Sequence, residues 1–122
     1  MTKAKQSKQR EHRIEQEIVV DAYGAEEKAM GWYYYLEERL RFPFRARCIA
    51  HRAISPLRKG QEVEVIGLAP TEECDGEMFI TMKWEKRTLA VPLAQLQPIQ
   101  ADKATQQAVG DWHYWVEQGY QF

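Results

Sequence analysis

The chain has 122 residues, 44% of them hydrophobic and 29% charged, with a formal net charge of −1. That length suits one domain, and the apolar share is enough for a packed core that needs no metal or disulfide to hold it. The even charge balance argues against a strongly basic nucleic-acid binder and against an acidic polymer mimic.

The polar, basic start has no apolar run, and no apolar stretch reaches about 18 residues, so neither a signal peptide nor a membrane span is expected. Cys48 and Cys74 lie far apart and form no Cys-x-x-Cys pair. They read as reduced thiols of a cytoplasmic protein.

Residues 1–13 carry Lys3, Lys5, Lys8, Arg10 and Arg13 against Glu11 alone, and read as a flexible basic arm ahead of a single domain over 14–122. Glu15 to Asp21 is either a short strand or the start of the first ordered segment, and Tyr23-Gly24 breaks it. Ala25 to Leu40 is the clearest helix. Ala29, Tyr33, Leu36 and Leu40 share a face, Glu26 and Glu27 suit its positive end, Arg39 and Arg41 its negative end, and Pro43 stops it.

The period then changes to two. Phe44, Ala46 and Cys48 alternate with arginines, Val63 and Val65 with glutamates, and Met78, Ile80, Met82 and Trp84 form a third apolar face. Ser55-Pro56, Lys59-Gly60 and Lys86-Arg87 read as turns, Thr88 to Val91 as a short partner strand, and Pro92 to Leu96 as one turn of 3₁₀ helix. Ala101 to Glu117 is helical, with Ala101, Ala104, Ala108, Trp112 and Trp115 as its stripe. Gly110 costs that helix about 1 kcal/mol relative to alanine. The aromatic tail Gly119 to Phe122 is expected to pack back on the domain. Together these elements predict an α+β fold: a small antiparallel SH3-like sheet or barrel, a long helix in the N-terminal half and a C-terminal helix.

The feature richest in chemistry is Thr71-Glu72-Glu73-Cys74-Asp75-Gly76-Glu77, with four carboxylates in six residues between two strands. In an extended run Glu73, Asp75 and Glu77 point to one side, and Gly76 lets the chain bend. Crowded like charges repel, and a hard cation such as Ca²⁺, which takes six to eight oxygens in irregular geometry, would relieve them. A solvated loop between strands is the other reading. The spacing is not that of an EF-hand.

Trp32-Tyr33-Tyr34-Tyr35 places rings on both sides of the long helix, as core packing or as a partner groove. His113, with no second histidine or cysteine at ligand spacing, reads as a helix-surface residue. No nucleophile motif, phosphate loop or nucleotide fingerprint appears, so no catalytic residue is assigned and no enzyme is expected.

Several segments in this order resemble the small bacterial CcbP calcium-binding family: Ala29 to Glu37, Phe42-Pro43-Phe44, Val63 to Gly67, Ala90 to Leu93 and Asp111 to Trp115. The likeness runs from about Arg13 to Phe122. It implies a compact protein that binds Ca²⁺ through acidic side chains outside any EF-hand, as a cytosolic buffer or sensor. Glu72, Glu73, Asp75 and Glu77 match the family's acidic stretch between strands, and Glu37 and Glu38 match a second acidic region. The rival reading is a protein- or nucleic-acid-binding adaptor that uses the SH3-like sheet, the exposed aromatics and the basic arm.

Overall fold

The computed structural model describes residues 7–74 and 76–122. Helix α1 spans Lys8–Arg13, α2 Ala25–Arg39 and α3 Lys103–Glu117, with a π-helical turn at Ile14–Ile18. The strands are β1 (Phe44–Cys48), β2 (Glu62–Leu68), β3 (Phe79–Trp84), β4 (Arg87–Pro92) and β5 (Leu96–Gln100). They form one antiparallel sheet in the order β4-β3-β2-β1-β5. The first four strands meander and β5 returns beside β1, as the SH3-like expectation requires. No helix among the described residues is long and apolar enough to cross a membrane.

Period two accounts for the strands. Phe44, Ala46 and Cys48 are buried while Arg45 and Arg47 are exposed, and Val63, Val65, Ile80 and Met82 line the same core. Outside, Glu62 pairs with both arginines, each at 3.2 Å. Two placements differ from the expectation. The β3–β4 turn is Glu85-Lys86, with Glu85 at φ 56°, and Arg87 already faces Trp84 as the first residue of β4. The strand β5 carries Pro98, which hid it, since proline argues against a strand interior. The expected 3₁₀ turn is present at Leu93–Gln95.

The two long helices form where the period-3.6 pattern placed them, but their buried faces are rotated. In α2 the buried residues are Ala29, Trp32, Tyr35 and Leu36, while Tyr33 is half-buried. The face turned to α3 carries Trp32, whose ring meets Trp112 at 5.0 Å and 74° and Trp115 at 5.6 Å and 61°. In α3, Asp102 caps the helix by accepting from Thr105 N at 2.8 Å, and Thr105, Ala108, Val109, Trp112 and Trp115 are buried. Ala104, expected in that stripe, is exposed. The tail folds back as expected, with Tyr120 against Trp115 at 5.2 Å and Phe122 against Trp112 at 5.9 Å.

The described part of the expected basic arm is not an arm. Residues 8–13 form α1, capped by Ser7, whose Oγ accepts from Arg10 N at 3.2 Å. Residues 1–6 of that arm lie outside the described residues. The helix continues into the turn at Ile14–Ile18, which overturns the strand reading of that stretch. Ile14 and Ile18 are both buried, four residues apart.

The basic residues are drawn in by a carboxylate. Asp111 of α3 is fully buried and accepts from Arg10, Arg13 and the Tyr35 hydroxyl. Tyr114 and Tyr120 donate to Glu11 at 2.5 and 2.7 Å. A domain boundary at residue 13 would cut through this structure.

Candidate metal site

The acidic loop leaves β2 at Leu68 and returns at β3. Its base is pinched by Ala69 N donating to Phe79 O at 3.0 Å. Its first half is not extended. Thr71–Glu73 is a 3₁₀ turn, closed by Glu73 N donating to Pro70 O at 2.9 Å and Cys74 N to Thr71 O at 3.0 Å. Cys74 is buried beneath it and accepts from Phe79 N at 3.4 Å. The 3₁₀ turn, not an extended run, therefore sets where Glu72 and Glu73 lie.

Glu72 and Glu73 are exposed. Glu77 turns to Arg52, with Arg52 Nη2 to Oε1 at 2.7 Å and Nη1 to Oε2 at 3.1 Å. That contact holds the Arg52 guanidinium above its ordinary range, against a smaller opposing effect of burial. Asp75 lies outside the described residues. Gly76 sits at a bend with open space around it.

A groove of about 430 Å³ separates the loop from α2, lined by Glu26, Ala29, Met30 and Tyr33 on one wall and Thr71, Glu72 and Cys74 on the other. Tyr33 ties the walls together, its hydroxyl donating to Ala69 O at 2.8 Å. Its phenol is held above the ordinary value, first by burial, then by Cys74, Glu37 and Glu72.

Glu26 shares that face, beyond its part at the positive end of the helix. The spacing Glu26, Met30, Tyr33, Glu37, at four, three and four residues, is the signal that marks it. Glu38 is exposed beside Glu37.

The arginines around these acids are engaged elsewhere: Arg39 with Glu17, Arg41 with Asp102, and Arg45 and Arg47 with Glu62. Among the described residues no salt bridge engages Glu26, Glu37, Glu38, Glu72 or Glu73. Among the same residues no three His, Cys, Asp or Glu side chains stand close enough to hold a metal ion as they are. The donors are all hard oxygens on solvated side chains, the kind a Ca²⁺ ion takes. His113 is not a surface residue. It is half-buried, with Nε2 at 2.6 Å from Leu96 O, and takes no part in the acidic groove.

The CcbP family, described as calcium binding, matches residues 12–116. Two solved structures share the whole fold, each with a TM-score of 0.87 and with 100% of both chains covered. One is the crystal structure of Anabaena CcbP, 39% identical, and the other is a calcium binding protein in the calcium-binding form, 38% identical. No curated protein matches the chain.

Proposed function

This chain belongs to the CcbP family of calcium-binding proteins, and on that premise we propose that it binds Ca²⁺ through carboxylates outside any EF-hand, as a cytoplasmic buffer or sensor. Glu72, Glu73 and Asp75 supply oxygens from the loop, and Glu37, with Glu38 beside it, supplies them from the end of α2. Glu77 contributes only when Arg52 releases it. The observation that carries this reading is the groove that sets Glu72 of the loop across from Glu26 of α2, in a chain of a calcium-binding family. Carboxylates on facing walls favour a bound cation, and the exposed side chains are free to rotate toward it.

Isothermal titration of chelator-treated protein with CaCl₂ tests this directly. Saturable heat is expected, weakened by E72Q/E73Q and by E37Q. No heat above dilution at millimolar calcium removes the reading. Far-UV and near-UV spectra with and without calcium separate a buffer, which changes little, from a sensor. The adaptor reading loses support, because Arg10 and Arg13 of its basic arm are spent on Asp111. The family is not a known enzyme family, and we assign no catalytic role.

A further inference from the structure

Two arginines of α1 share one acid. Arg10 and Arg13 both close on Asp111, and among the described residues neither forms another salt bridge. Two positive charges thus meet one negative charge. The carboxylate is fully buried, whereas the arginine side chains are 33% and 20% exposed. Donors remain on both guanidinium groups. Arg10 donates from Nη1, and Arg13 from Nε and Nη2. Among the described residues no hydrogen bond engages Arg10 Nε or Nη2, or Arg13 Nη1. A guanidinium holds its N–H donors in a rigid fork, so anchoring one side on Asp111 also fixes where the others point.

Both arginines line a hollow of about 460 Å³, together with Gln9 of α1, Gln97 of β5 and Gln107 and Gly110 of α3. No aspartate or glutamate lines it among the described residues. The glutamine amides bring neutral donors from three elements. Gly110 supplies the room. A Cβ there would stand 2.9 Å from Arg10 Nη2 and 3.0 Å from Nη1, so the guanidinium occupies the space a side chain would need. The helix forgoes a better helix former at that position.

We propose that this hollow binds an oxyanion of the phosphate class between Arg10 and Arg13. The unbalanced positive charge attracts it. A carboxylate would satisfy one fork, whereas a tetrahedral oxyanion has acceptors for both forks and for the amides. Because Asp111 already holds the arginines, little side-chain freedom is lost on binding. The hollow shares no lining residue with the acidic groove and is independent of the calcium reading.

The test is a titration of the full chain with inorganic phosphate and, separately, with glycerol phosphate, at constant ionic strength. The Nε–Hε resonances of Arg10 and Arg13 are followed by ¹⁵N NMR. Gln107→Glu and Gln107→Lys change the charge of the hollow at an exposed position outside the Asp111 cluster. Both arginine resonances should move and saturate at millimolar phosphate. Q107E should bind about threefold to tenfold more weakly than wild type and Q107K more tightly by a similar factor, the range expected for one solvated charge. Tighter binding of glycerol phosphate assigns an organic monoester, and equal or weaker binding assigns the free ion. Arginine resonances that stay put, or that drift without saturating, overturn the site. So does a Q107E protein that binds as tightly as Q107K. Circular dichroism verifies the fold of both variants, and the wild-type arm needs neither.

Discussion

Arg13 and Asp111, 98 positions apart, close on each other through a two-pronged contact, Nε to Oδ2 and Nη2 to Oδ1, both at 2.8 Å. Asp111 is fully buried and also receives Arg10 and the Tyr35 hydroxyl. Removing one member of a buried ion cluster strands the others. Asp111→Ala should cost about 3 kcal/mol or more in urea unfolding and should free α1, read as faster amide exchange over residues 8–18. Arg13→Ala should cost less, since Arg10 remains. A D111A protein with unchanged stability would show that α1 is held by Ile14 and Ile18 alone.

Two helical glycines should respond badly to alanine, against the usual preference. A Cβ on Gly31 would stand 2.2 Å from Ile18 O, a backbone atom that cannot swing aside. Gly31→Ala should therefore destabilise, although alanine in an open helix site would gain about 1 kcal/mol. A Cβ on Gly110 would meet the Arg10 guanidinium at 2.9 Å. Gly110→Ala should displace Arg10 from Asp111, so its penalty should largely vanish in an R10A background. Thermal melts of the two single variants and the double variant measure both effects.

The Tyr33 phenol should report on the loop. Its ionisation is opposed first by burial and then by Cys74, Glu37 and Glu72. A cation that neutralises Glu37 and Glu72 removes part of that opposition, so calcium should move one tyrosine titration to lower pH. Absorbance at the phenolate band resolves it, and Y33F should abolish the shift. Tyr35 is distinguishable because burial and its bond to Asp111 push it up to about 12. No calcium-dependent change in the tyrosine titration would count against Glu37 and Glu72 as neighbours of the ion.

His113 supplies a pH dependence of stability. Burial holds its pKa below the ordinary 6.5, against smaller upward effects of Leu96 O and Glu117, with Arg10 adding a downward one. The unfolded chain then binds the proton more readily than the fold. Its contribution is complete above about pH 6.5 and is lost as pH falls through the depressed folded value. Denaturation series between pH 5 and 8 should show stability falling on acidification, with a smaller fall in H113Q. An identical slope in H113Q would assign the effect to other groups.

Local pattern alone carried much of the architecture. Phe44-Arg-Ala-Arg-Cys48 announces a half-buried strand because a strand's side chains alternate, and Ala25 to Arg39 announces a helix because its apolar residues recur every three or four. The motif order from Ala29 to Trp115 likewise made the family legible. Helix faces were less legible, because α2 meets the loop on one side and α3 on another, so two stripes overlap and the sequence does not say which is deeper.

What the tertiary structure alone decided are the partners of charged groups. A count of lysines and arginines treats residues 8–13 as solvated, yet a single buried carboxylate 98 residues after Arg13 turns them into a packed helix. The acidic loop reads as four like charges, yet its first half curls into a 3₁₀ turn over a buried Cys74, and Arg52 takes Glu77. Period and propensity act between near neighbours and are written in the chain, whereas ion pairs join residues that only folding brings together, and burial sets their strength.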